Sequence, residues 1–228
     1  MTTKVTWYGH SAVQVSTEMV SILIDPFFSG NSMAPVTAAD VGADVIVVTH
    51  GHSDHLGDTV LLARRTGALV VSNFEIVTYL QKQGLEKLHP LHIGGGKSFS
   101  WGRVKLTMAM HGSSLPDGGY GGVAAGVLLN LGGTTIYHAG DTGLFYDMKL
   151  IGDARIDLAM IPIGDNFTMG PDDAVKAVSL LRPKMVAPMH YNTFDVIEQD
   201  PNEWAAAVER ETSAKPKVLE PGQTIILE

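Results

Sequence analysis

A chain of 228 residues, 45% hydrophobic and 18% charged, is ordinary for a globular protein and long enough to bury a substantial core. It has no cysteine, which excludes disulfides, iron–sulfur clusters and thiolate nucleophiles and leaves imidazole and carboxylate to hold any metal. A formal net charge of −8 argues against broad binding to a nucleic-acid backbone, and the longest apolar stretch, Gly122–Leu131, is too short and Gly-rich to span a bilayer.

Short runs at Val5–Tyr8, Ala12–Ser16 and Val20–Ile24, the last ending at Asp25-Pro26, predict strands. The N-terminal segment carries polar residues where a signal peptide needs an unbroken apolar run, so a cytoplasmic location is expected. Asp44–Thr49 (DVIVVT) predicts a strand buried on both faces. Leu56–Thr66 predicts a helix closed by Gly67, followed by a strand at Ala68–Ser72 and a helix at Phe74–Gln83 stopped by Gly84.

Arg103–Met110, Val123–Leu131 and Thr134–His138 predict strands joined by Gly-rich turns such as Gly132-Gly133. The remainder predicts a strand (Ile156–Ile161), a helix (Asp172–Leu181, behind Pro171), a strand (Lys184–Met189), a helix (Pro201–Thr212) and a last strand (Gln223–Leu227). No linker, charge block or low-complexity stretch interrupts this order, so one domain over residues 1–228 is expected. A β-rich part followed by an α/β part occurs twice, without any repeat in the letters. Two sheets packed together with helices outside would give an α/β protein of αββα four-layer type.

The densest chemistry is His50-Gly51-His52-Ser53-Asp54-His55, directly after the buried strand ending at Thr49. Residues two apart in an extended turn point the same way, so His50 and His52 can clasp one ion while Asp54 and His55 face a second. Further ligands for a dinuclear site must come from other strand ends. His111, Asp141 (in AGDTG) and His190 (in PMHY) stand at such places. The cluster could also be a solvated, histidine-rich loop, and each of the other three could be a surface or capping group.

The order His50-x-His52-x-Asp54-His55, then His111, Asp141 and His190, resembles the metallo-β-lactamase superfamily. YGHSA at Tyr8–Ala12, THGHSDHLGD at Thr49–Asp58, YHAGDTGLF at Tyr137–Phe145, PIGDNFTMGP at Pro162–Pro171 and PMHYNTF at Pro188–Phe194 are similar to its branch of predicted metal-dependent hydrolases. That branch lies near the ascorbate-6-phosphate lactonase and N-acylphosphatidylethanolamine phospholipase D groups. The resemblance runs over nearly the whole chain and implies the metallo-β-lactamase fold. It implies that His50, His52 and His111 bind one ion, that Asp54, His55 and His190 bind another, and that Asp141 bridges them. Asp54 would also orient and deprotonate a water, and Asp25 would be a buried acid supporting the metal loop. Zinc suits a nitrogen-rich, thiol-free set; manganese, iron or nickel would also accept it.

Other groups read less sharply. His10, in a turn between two strands, is either a group beside the metals, able to touch substrate, or a structural histidine. Asp165, Asn166 and Thr168 either contact substrate or simply form the turn before Pro171. His138 reads as core or as a group behind the site, His89 and His92 as surface, and Ser113 and Ser114 as hydroxyls able to orient His111.

The expected function is hydrolysis of an ester, lactone, thioester or phosphoester in a small-molecule substrate. An RNA- or nucleotide-directed phosphodiesterase is opposed by the acidic charge, and a secreted β-lactamase by Asp141 at a position where cysteine is common. A redox diiron enzyme is opposed by His52 and the lack of a flavin-binding domain, and a non-enzymatic metal-binding module by Asp54. A homo-oligomer is compatible with this architecture.

Overall fold

The computed structural model describes residues 2–228. Strands β1 (Thr3–Trp7), β2 (Val13–Ser16), β3 (Ser21–Ile24), β4 (Val45–Val47), β5 (Leu69–Asn73) and β6 (Leu88–Leu91) belong to one sheet. Helices α1 (Ser53–Leu56), α2 (Thr59–Thr66) and α3 (Phe74–Lys82) fall between them. The second sheet is formed from β7 (Gly96–Phe99), β8 (Gly102–Met108), β9 (Ala125–Leu131), β10 (Thr134–His138), β11 (Leu158–Pro162), β12 (Met185–Met189) and β13 (Lys215–Pro216). Its helices are α4 (Met148–Gly152), α5 (Pro171–Leu181) and α6 (Pro201–Glu211), and β14 (Thr224–Leu227) returns to the first sheet beside β1.

Both sheets have the same plan. Antiparallel pairs run from β14 through β1 and β2 to β3 and from β7 through β8 and β9 to β10; parallel pairs continue to β6 and to β13. The repeat absent from the letters is thus present in the topology.

Alternation along the central strands builds the layers. Ile22, Ile24, Val45 and Val47 join the core between the sheets, whereas Leu23, Ile46 and Val48 face a second core shared with Leu62, Ile76 and Leu80 of α2 and α3. On the other side α5 buries Ala174, Val175, Ala177, Val178 and Leu181, a helical stripe with Pro171 at its first turn. The result is the four-layer α/β sandwich expected.

One predicted helix is divided. Between α1 and α2, Gly57 takes φ +42°, and a Cβ there would stand 2.4 Å from the Pro26 carbonyl oxygen. Asp58 then accepts hydrogen bonds from the Phe28 and Ser29 amides and the Ser29 hydroxyl, which fastens the segment after Asp25 against α2. The edge strands β6, β7 and β13 and the short helix α4 also go beyond the sequence expectation, and His89 lies within β6, with its ring edge-on to Phe99. No helix among the described residues is long and apolar enough to cross a membrane.

Candidate metal centre

Five strands end at one edge of the sandwich and deliver the titratable groups there. Asp25 follows β3, the His50–His55 segment follows β4, and His111, Asp141 and His190 follow β8, β10 and β12. Several of these residues accept backbone conformations that side chains disfavour: His10, Asp25 and His190 have φ of +53°, +47° and +56°. Such strain persists where the surroundings over-determine it, here at residues whose rings or carboxylates must point inward.

Two donor groups form side by side. His50, His52 and His111 make one, with His50 Nε2 3.0 Å from His52 Nδ1 and His111 Nε2 3.5 Å from Asp141 Oδ2. His55, His190 and Asp54 make the other, with His10 among them. Asp141 lies between, its carboxylate 3.0 Å from His190 Nε2, 3.2 Å from His55 Nε2 and 4.0 Å from His50 Nε2. All seven expected ligands therefore converge.

The residues fit a metal. His55 Nε2, His190 Nε2 and Asp141 Oδ1 are buried and have no hydrogen-bond partner, although they face one another. Leaving three such atoms unsatisfied is costly unless they serve another electrophile.

Behind the ligands, Asp25 organises both groups. Its fully buried carboxylate accepts from the Thr49 amide at 2.8 Å, the Thr49 hydroxyl at 2.6 Å and His55 Nδ1 at 2.8 Å. The Thr49 hydroxyl, having donated to Asp25, accepts from His50 Nδ1 at 2.9 Å. One carboxylate thus holds protons on the Nδ1 atoms of His55 and, through Thr49, of His50. His50 Nε2 is thereby left as a lone-pair donor toward the centre, and His55 Nε2 becomes one when a cation displaces the proton that Asp141 holds on it.

The charges are strongly coupled. Burial raises the Asp141 carboxyl, but the His190 and His55 imidazoles beside it hold it well below the usual range. Burial lowers His55, yet Asp141 and Asp25 on either side push it well above the ordinary imidazole value. His50 is pushed well down by burial and by its neighbour His55, and His111 is lowered mainly by burial. His10 falls to about 4, from burial and the adjacent His190. Burial opposes ionisation of Asp54, but the His10 hydrogen bond and His55 hold its carboxyl down.

His10 is a buried partner of Asp54: Nε2 meets Asp54 Oδ2 at 3.1 Å, Nδ1 meets the Thr193 hydroxyl at 2.9 Å, and the ring lies 4.0 Å from that of His190. Asp165 and Asn166 are exposed; Asp165 turns the chain at φ +63°, and among the described residues neither bonds to the cluster. Ser113 does not orient His111. Its hydroxyl accepts from the Gly51 amide and donates to the Gly121 carbonyl, bracing the HGH turn instead, and Ser114 is exposed and pairs with Tyr120. His138 is fully buried, bonded to the Ser11 carbonyl and the Gly140 amide, and sits behind the site as a structural group. Sequence reasoning missed Thr49 and Thr193; Thr49 stands at the β4 end beside His50, a position that signals support for a ligand.

Comparisons with known proteins identify the family. A family model described as β-lactamase superfamily domain matches residues 4–190. Metal-dependent hydrolases of the UPF0173 group from Bacillus velezensis and Shouchella clausii are 52% and 51% identical, over 98% of this chain and 99% and 100% of theirs. The metallo hydrolase Igni18 of Ignicoccus hospitalis superimposes with a TM-score of 0.92 at 40% identity, covering 100% of this chain and 99% of that one. The chain belongs to the metallo-β-lactamase superfamily, within its branch of metal-dependent hydrolases.

Proposed function

We propose that this hydrolase works through two divalent ions, zinc being the best match to the donors, and cleaves an ester, lactone, thioester or phosphoester of a small molecule. The observation that carries this reading is Asp141, whose carboxylate lies within 4.0 Å of imidazoles from both donor groups. In this reading His50, His52 and His111 hold one ion, Asp54, His55 and His190 the other, and Asp141 both.

Bound there, divalent ions lower the pKa of a water from about 15.7 toward neutrality and offset charge building on the substrate oxygen. The chain's own residues do the rest. Asp25 and Thr49 keep His50 and His55 in the tautomer that donates from Nε2. Asp54, side chain 26% exposed and steadied by His10, orients the attacking water, takes its proton and returns it to the leaving group. Cluster residues buried beneath the mouth, His10 and Phe27 among them, limit bulk water around the reacting atoms.

The test is turnover of p-nitrophenyl acetate and bis(p-nitrophenyl) phosphate. Activity should vanish on chelation and return with zinc or manganese. Tight uptake of two ions with no turnover across a broad ester panel would contradict the reading and favour a binding module.

A further inference from the structure

The edge that carries the metal ligands has an unusual charge. Seven segments there carry the titratable cluster or bond to it, residues 8–12, 25–34, 48–58, 109–124, 139–147, 163–170 and 190–200, while the connection between β13 and β14, which starts at Lys217, also reaches this edge beside Trp7. The chain has 16 Lys and Arg, and none lies in any of the seven. Lys149 is the nearest in sequence, on the first turn of α4, where its ammonium stands 6.0 Å from the Tyr146 ring. The same segments expose Asp117, Asp147, Asp165, Asp195, Glu198 and Asp200. Helix α5, which starts from this edge, carries Asp172 and Asp173 in its first turn, so its N-terminus presents acids where a phosphate would need amides.

Exposed apolar side chains stand on these segments instead. Phe194 is 40% exposed, with its ring 5.5 Å from that of His10 and 6.5 Å from Phe27. Met110, 58% exposed, immediately precedes His111, and its backbone is bonded to Thr142 and Gly143 beside Asp141. Phe167, 55% exposed, lies in the segment that meets Thr142 through the Met169 amide.

A substrate bearing a phosphate or carboxylate away from its scissile bond needs a cation to receive that group, and Arg or Lys is the usual one. The ions serve only the reacting atoms. We infer that the substrate is an uncharged ester, lactone or thioester with an apolar acyl or aryl group seated against Phe194, Met110 and Phe167. This rests on the proposed hydrolytic reading and narrows it.

Hydroxamates with matched tails separate the two readings, because the hydroxamate head reports the metals and the tail reports the mouth. Calorimetry on the zinc-loaded protein should show affinity rising roughly two- to fourfold per methylene from acetohydroxamate to octanohydroxamate. Adipic monohydroxamate, with a carboxylate tail, should bind at least about tenfold more weakly than hexanohydroxamate, and the gap should shrink at high salt. Phe194→Ala should weaken octanohydroxamate by roughly tenfold and leave acetohydroxamate unchanged. In turnover, a neutral lactone should exceed its phosphorylated counterpart in kcat/KM by about 100-fold, or two factors of ten at 1.36 kcal/mol each. Equal or tighter binding of the carboxylate tail or of an ammonium tail, or preference for the phosphorylated lactone, would overturn the substrate class. Failure of every hydroxamate to bind would instead remove the metal-centre reading and the substrate class with it.

Discussion

Replacing Asp25 by Asn is nearly isosteric, yet it reverses a chain of hydrogen bonds. Oδ2 of Asp25 receives both the Thr49 hydroxyl and His55 Nδ1. An amide nitrogen at that place donates to both. His55 must then accept at Nδ1 and carry its proton on Nε2, and the Thr49 hydroxyl turns to donate to His50 Nδ1, with the same effect on His50. The other amide orientation sets the NH2 against the Thr49 amide, two donors face to face. Either way a buried acceptor is lost. The cost to the metal-free fold is about 1.5–3 kcal/mol for a charge-assisted bond, or roughly 3–12 °C in Tm for a chain of this size. Affinity for metal should fall about 10–100-fold, as it does when groups behind a ligand are removed. Competition against a chromophoric chelator measures this directly, with scanning calorimetry on the metal-free protein as the control for folding. A D25N protein that binds both ions with wild-type affinity would show that tautomer control by Asp25 is not what prepares the site.

Three further outcomes follow from particular contacts. Asp58→Ala removes three hydrogen bonds to Phe28 and Ser29, and should lower stability by about 3 kcal/mol in urea titration while the m-value stays constant. Thr193→Val strips the hydroxyl partner from His10 Nδ1; kcat should fall by roughly tenfold with KM and metal content unchanged, since His10 acts through Asp54. Gly140→Ala places a Cβ 2.5 Å from the Ala125 carbonyl oxygen at φ +62°, so the Asp141 turn must shift, and both Tm and metal content should drop.

The central strands and the convergence of the His and Asp cluster were legible because local pattern and tertiary role coincide. DVIVVT can be buried on both faces only as an inner strand, and a run of three imidazoles and a carboxylate after it has few uses besides metal. The edge strands were not legible. LHPL of β6 contains a proline and GKSF of β7 opens on glycine, so only pairing with β5 and β8 makes them strands. The break between α1 and α2 comes from a carbonyl some thirty residues away in sequence, Pro26 against Gly57, which no local rule contains. His10 could not be assigned from the letters for the same reason: its partners, Asp54 and Thr193, lie 44 and 183 residues along the chain. Ser113 shows the opposite error, where adjacency in sequence to His111 suggested a contact that the fold gives to Gly51.

Whether this chain is built around a pair of ions is answered by metal analysis of protein purified without added metal or chelator, run beside His52→Ala and His190→Ala. These variants each remove one donor from a different group. Wild type should carry about two ions per chain, and each variant about one, with melting temperature falling as metal is lost. A wild-type chain that takes up no more than one ion even after dialysis against zinc or manganese, or a His190→Ala variant that keeps both, would contradict the two-ion centre.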